Sequence, residues 1–230
     1  MGDAAEKPVI EFLYPDAGPF LQSAAESGDA RGPIAIRVEA LATKAGYEIK
    51  WTGPIPRNRI LADMQDGRAA CTPNAIKTPD REARFKFTQP IFPALDQVVV
   101  TKKDAAWVDS YDSVDALMHD TTRVYGDLLG ASQGPALDRT IAEETRHVRP
   151  IRGTPADLVK MVISGHVDYI ILADGPSVAL AASALGIDPA VLATHHFPDM
   201  RSSAGGHIMC AQSVGNDVIA AFDKAIADGR

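Results

Sequence analysis

The sequence predicts an α/β protein of two lobes, each a mostly parallel sheet with helices on its faces. Three observations predict it. Strand-like and helix-like patterns alternate along nearly the whole chain, the order that yields parallel strands joined through helices. The alternation breaks once, at DQVVVTKKDAAW, where an apolar strand runs into charged, turn-forming residues. The chain then closes on a strand and a helix, GHIMC and NDVIAAFDKAI, like those of its first half. The chain is therefore expected to cross back near THHFPDMRSSAGG, giving lobe one as residues 1–99 with 196–230 and lobe two as residues 100–195.

The first half opens on a strand. KPVIEFLY carries Val9, Ile10, Phe12 and Leu13 and stops at Pro15, a buried strand opening into the loop YPDAGPFLQ. Ile34, Val38, Leu41, Ala42 and Ala45 fall at helical spacing, with Pro33 in the first turn and Gly46 as the stop. YEIKW alternates as a strand, with Tyr47, Ile49 and Trp51 on one side. Ile60, Leu61 and Met64 in RILADMQDG mark a short helix closed by Gly67, and a strand is expected around AACTPN. FKFTQPIF and DQVVVTKK are two further strands.

The second half repeats the alternation. VDALMHD is a helix with Val114, Leu117 and Met118 inward, and TRVYGDLL is a strand. GASQGPALDRTIAEE puts Pro135 at a first helical position, with Leu137 and Ile141 as its buried stripe. Thr154, Pro155 and Asp157 open the next helix as a capping box, and Gly165 ends it. VDYIIL is a buried strand, PSVALAASALG a small-residue helix, and the terminal helix buries Val218, Ile219, Phe222 and Ile226.

Composition narrows the function. At 230 residues and 46% hydrophobic, the chain can bury a core. A net charge of -7 and a pI near 5.3 argue against nucleic acid and against anionic membrane surfaces, both of which need a concentrated basic face. No stretch reaches the roughly 18 apolar residues of a spanning helix. The start MGDAAEKPVI has no apolar leader, and the expectation is a mature chain whose export signal has been removed. Two cysteines, Cys71 and Cys210, lack zinc-site spacing and are either two buried small hydrophobes or one bridge. Phosphate-binding glycine motifs and paired catalytic carboxylates are absent from the pattern. The adjacent His195 and His196 point to opposite sides of an extended segment, which suits a surface role better than a metal.

The order YPDAGPF, RNRILADMQDG, TPDREARFKFTQPIF and SGHVDYIIL resembles the type II periplasmic solute-binding proteins of the amino-acid-binding kind. Its most specific part is T-P-x-R followed by F-T-x-P-I-F. The resemblance implies two α/β lobes joined by two crossover strands, with a ligand held in the cleft between them. It assigns the ligand carboxylate to Arg81, whose planar, permanently charged fork matches a carboxylate with two parallel hydrogen bonds. Thr72, Asn74 and Lys77 fall where the family places small polar contacts. Ser132, Gln133 and the free N–H groups of the helix after them would receive an anionic part of the ligand, and Tyr14, Phe20 and Trp107 would wall the pocket. Arg84, three residues on, is expected to lie along its helix with its charge in water. The strand carrying Cys210 would return to lobe one beside that of Cys71, which makes a disulfide the better reading of the pair.

One departure bears on the ligand. Amino-acid binders commonly carry an acid five positions after the Asp of G-x-V-D; counted from Asp168 that position is Ala173, and the acid comes one later at Asp174. A shift of one along a strand reverses the side chain's face, so the ligand is an amino acid or another organic anion, such as a dicarboxylate or an aromatic acid cofactor. The expected protein is a monomeric periplasmic receptor that feeds an ABC-type importer by hinge closure, with no catalytic residue, metal or cofactor. Two alternatives stand beside it: a small enzyme such as a cyclic-acid dehydratase, with Asp174 or His166 as its acid or base, and the sensing domain of a membrane receptor.

Overall fold

A computed structural model of the chain describes residues 7–24, 28–200 and 205–229. It divides into two compact units. Unit 1 takes the chain up to Asp16, Phe20–Pro93 and the chain from Gly205 on; unit 2 takes Ala17–Pro19 and Ala94–Ala204. The units change at 93/94 and 204/205, where the sequence suggested 99/100 and 195/196, because the strand over DQVVVTKK is hydrogen-bonded into the second unit's sheet. Residues 201–204 of the predicted crossing lie outside the described residues.

The chain enters unit 1 through β1 (Val9–Leu13) and the short pair β2 (Gln22–Ser23) and β3 (Ala30–Arg31). It continues through α1 (Pro33–Ala45), β4 (Glu48–Thr52), α2 (Arg57–Gln65), β5 (Ala70–Ile76), α3 (Pro79–Glu82) and β6 (Phe85–Phe92). Unit 2 contains β7 (Gln97–Lys102), α4 (Val114–His119), β8 (Tyr125–Leu128), α5 (Pro135–Glu143) and β9 (Val148–Ile151), then α6 (Pro155–Ile163), β10 (Tyr169–Ala173), α7 (Pro176–Ser183) and β11 (Leu192–His195). The return to unit 1 is β12 (Gly206–Ala211) and α8 (Asn216–Ala227).

The sheet of unit 1 has the order β4-β1-β5-β12-β6. β1 pairs parallel with β4 and β5, and β12 runs antiparallel between β5 and β6, so four of the five strands point one way. Ile34, Val38, Leu41 and Ala42 of α1 are buried, and Gly46 ends the helix at φ 85° with its N–H on the Ala42 and Thr43 carbonyls. Phe12 is central, with Trp51 at 5.5 Å and Phe222 of α8 at 6.2 Å between ring centroids.

Unit 2 repeats the plan with the order β11-β7-β10-β8-β9, in which β7 alone opposes the other four. Strand alternation sorts its two cores. Val98, Val100, Ile170 and Leu172 pack with Leu158, Val159 and Val162 of α6 and with Val178 and Ala181 of α7. Val99, Tyr169, Ile171 and Tyr125 face Val114, Leu117 and Met118 of α4 and Leu137 of α5. Helices on both faces of a mostly parallel sheet, twice over, are the architecture expected from the sequence. β9 and β11 go unpredicted: each is four residues long and lies at a sheet edge, and β9 contains Pro150, which an edge strand tolerates.

Candidate functional site

In open α/β sheets, ligands are taken outside the carboxyl ends of the parallel strands. In unit 1 that rim is made by the segments leaving β1, β4 and β5. Tyr14 N–H donates to Thr52 O at 3.2 Å and Ile55 N–H to Tyr14 O at 2.9 Å, which ties the first two together. β5 ends at Ile76, and Gly206 at the start of antiparallel β12 pairs with it.

Arg81 sits on this rim, in the single turn of α3. Thr78 is the N-cap, its Oγ1 accepting from Arg81 N at 3.3 Å, and Pro79 holds the first helical position. The half-buried Arg81 side chain donates from Nη1 to Ile76 O at 3.0 Å. A short capped turn thus returns the guanidinium to the end of the strand behind it. Arg84 points elsewhere: it is exposed, pairs with the Asp80 carboxylate and donates to Asp80 O at 3.2 Å.

The other expected residues of unit 1 divide. Asn74, exposed, lies two residues before the end of β5, while Thr72 is 6% exposed within that strand. Lys77 pairs with Glu82 at 2.7 Å and stands 6.0 Å from the Phe87 ring. It lines a groove of about 390 Å³ along β6 and α8, with Phe85, Lys86, Phe87, Ile219 and Asp223. Tyr14 is fully buried; its hydroxyl donates to Gly28 O at 2.8 Å and its ring stands edge-on to Trp51 at 5.7 Å. Such a ring serves the core of the unit, because every face is already covered. Phe20 is half-buried. Arg57 is half-buried at the start of α2, where burial lowers its pKa and the Asp16 carboxylate opposes that.

In unit 2 the corresponding rim lies past β8, β9 and β10 and at the start of β7, since Ala173 pairs with Gln97. Asp174 is here, its N–H on Asp96 O at 2.8 Å and its Oδ2 3.9 Å from His196 Nε2. Gln133 is here too, its Oε1 accepting from Gln97 Nε2 at 2.7 Å. The start of α5 already holds an anion, because Asp138 accepts from Ser132 Oγ at 2.5 Å and from Gln133 N–H at 2.7 Å. The Ser132 hydroxyl and the Gln133 N–H thus each donate to an acid of the chain itself. Burial and the Asp138 charge push the Asp127 carboxyl up, and burial, then the Asp127 charge, pushes the neighbouring Tyr125 phenol up. Nothing in the sequence singles out Asp127, which reads as one acid in the strand TRVYGDLL until the fold half-buries it.

Trp107 lies at the other end of the sheet. β7 runs against β10, so the chain leaves it beside the beginnings of β8 and β10, and Trp107 packs on Tyr111, Tyr169 and the Arg123 guanidinium, which is 4.4 Å from the ring centroid. It shares no rim with Asp174. Of the two histidines, His195 bonds Thr101 Oγ1 at 3.0 Å and is pushed down by burial, while His196 is exposed. His166 is exposed and bonds Ser164 Oγ at 2.6 Å. Cys71 and Cys210, both fully buried, are joined in a disulfide between β5 and β12, Sγ to Sγ 2.00 Å. No cluster of metal-ligating side chains occurs among the described residues, and among them no helix is long and apolar enough to cross a membrane.

Residues 14–228 match the family described as bacterial extracellular solute-binding proteins, family 3. No curated protein matches the sequence significantly. Among solved structures, an ancestral arginine-binding protein bound to arginine is 18% identical with a TM-score of 0.73, over 96% of this chain and 92% of the other. The arginine-, lysine- and histidine-binding protein ArtJ of Geobacillus stearothermophilus is 18% identical with a TM-score of 0.71, over 97% and 89%. An ancestral amino-acid-binding protein, a precursor of cyclohexadienyl dehydratase, is 17% identical with a TM-score of 0.70, over 96% and 88%. At these identities the likeness is one of fold.

Proposed function

The chain belongs to the bacterial extracellular solute-binding proteins, family 3, and on that premise we propose that it captures a small carboxylate-bearing solute, an amino acid or another organic anion, in the periplasm and delivers it to an ABC-type importer. The observation that carries this is Arg81: a guanidinium brought to the carboxyl end of β5 by a capped turn, its Nη1 donating to Ile76 O. A planar fork so oriented suits a carboxylate. Because the Ser132 hydroxyl and the Gln133 N–H already donate to Asp138, Arg81 is the first choice for the ligand's negative group, ahead of Ser132 and Gln133. The amino-acid binders among the structural neighbours support an α-amino acid, with another organic anion such as a dicarboxylate as the second candidate on the charge of Arg81 alone.

Native mass spectrometry of the purified protein, and then calorimetry against L-amino acids and dicarboxylates, identifies the solute. Arg81→Ala should weaken binding by roughly 2–5 kcal/mol with the melting temperature retained, the cost of removing one partner of a charged, hydrogen-bonded pair. Unchanged affinity would remove Arg81 from the site.

An enzymatic reading has one specific support, the half-buried Asp127 carboxyl with its raised pKa, alongside the dehydratase precursor among the neighbours. Conversion of a cyclohexadienyl acid by the wild-type protein, abolished in Asp127→Asn, would favour it over simple capture.

A further inference from the structure

Asn74 is the one non-glycine residue with positive φ among the described residues, at 55°. It lies inside β5, where the ladder to β12 slips: Ala75 pairs with His207 and Thr72 with Met209, so Pro73 and Asn74 together oppose the single residue Ile208. This is a β-bulge, which bends the strand and re-aims the residues beyond it. Asparagine is among the few side chains that accept the left-handed conformation found here.

The Asn74 amide lies over the backbone of Gly206. A Cβ at Gly206 would run into the amide oxygen and stand 2.9 Å from Cγ. Gly206 is not among the glycines with positive φ, so what it contributes is the missing side chain and not a backbone conformation. Gly206 in turn pairs with Ile76, whose carbonyl accepts from Arg81 Nη1 at 3.0 Å. The contacts run without a gap from Asn74 through Gly206 and Ile76 to the guanidinium.

We propose that Asn74 and Gly206 form a lock that positions Arg81, with Asn74 acting through the backbone at the bulge. The lock gives Arg81 its place; that the place serves a ligand carboxylate rests on the function proposed above. The test therefore reads the arginine and not a ligand: the rate at which phenylglyoxal, which labels guanidinium groups, modifies Arg81 in the ligand-free full chain, read by peptide mass spectrometry. Asn74→Gly keeps the backbone conformation and removes the amide, while Gly206→Ala forces the amide away. Each single change should alter the Arg81 rate by at least about threefold, the lower range of coupling between touching residues, and the double variant, in which the new methyl fills the space the amide left, should come back toward the wild-type rate.

Arg84, exposed on the same turn, is the internal reference and should label equally in all four proteins. Single variants that leave the Arg81 rate unchanged, or a double variant no closer to wild type than either single, would overturn the lock. If Gly206→Ala does not fold, the double variant decides: folded with a wild-type rate supports the proposal, unfolded refutes it. Loss of solute binding in Arg81→Ala bears on the function and leaves this outcome untouched.

Discussion

At the scale of single residues, charge is handled by short-range hydrogen bonding. Glu11 on β1 takes Arg68 in a two-point contact, Nε to Oε2 at 3.0 Å and Nη2 to Oε1 at 2.9 Å, and Arg68 also reaches Asp63 at 3.3 Å. The Arg68 hydrogen bond holds Glu11 below the usual carboxylate range. In unit 2, Asp120 accepts from Tyr111 O–H, from Thr122 N–H at 2.8 Å and from Thr122 Oγ1 at 2.7 Å, and these, the Tyr111 bond first, lower its pKa to about 2. A depressed folded-state pKa stabilises above the unfolded value and is lost as pH falls through the folded one, so this contribution is whole above about pH 4 and fades toward about pH 2. Tyr111→Phe should therefore lose less stability than wild type over that window. Urea midpoints from pH 5 to pH 2 check it, and parallel acid limbs for the two proteins would exclude the contact as their source. The Glu11–Arg68 pair was not legible in the sequence, because the two are brought together only when β1 is laid beside β5. Arg81 was picked out through the T-P-x-R motif, and the turn that carries it is local, since its Thr78 cap and Pro79 are neighbours in the chain.

At the scale of elements, the local signals carried furthest where the deciding partners are close in sequence. The capping box of α6 is complete: Thr154 Oγ1 accepts from Asp157 N–H at 3.4 Å and Asp157 Oδ2 accepts from Thr154 N–H at 2.8 Å. Thr154→Ala should destabilise unit 2 by about 1 kcal/mol and Thr154→Ser by much less. Chemical denaturation of the two variants distinguishes a cap from a packing defect, since only the cap is restored by serine. β6 relies instead on partners distant in the chain. It is an edge strand, and its exposed backbone is answered by Asp223 Oδ1 on Gln89 N–H at 2.6 Å and by Arg37 Nε on Ile91 O at 3.4 Å, with Pro90 removing one donor. The FTQPIF run is thus both the most recognisable motif of the chain and a protected sheet edge. α8 departs from its pattern: Phe222, Ala225 and Ile226 are buried while Val218 and Ile219 stay half-exposed, Ile219 on the groove beside β6.

At the scale of the whole molecule, the chain leaves unit 1 and returns to it, and one covalent bond closes the excursion. Cys71 and Cys210 are 139 residues apart and join β5 to β12. The closed segment contains all of unit 2 except Ala17–Pro19, so the bond restricts the unfolded chain over more than half its length. Replacing both cysteines with alanine should lower stability by about 2–5 kcal/mol on the loop-entropy account. With Trp107 changed to Phe, Trp51 of unit 1 becomes the single tryptophan. Its fluorescence in urea reports on that unit, and an unshifted midpoint in the alanine pair would show that the bond adds nothing to stability.

The α/β class, the principal helices and strands, and the caps of α1 and α6 follow from local sequence, because each depends on residues within a few positions of one another. Tertiary structure decided the rest. The register of β7 against β10 sends Trp107 to the end of the sheet away from Asp174, and the slip between β5 and β12 sets Asn74 over Gly206. Both depend on which strand lies beside which, and in which direction. That choice is made by burial of both sheet faces at once, a property of the folded unit that no short window of the sequence contains.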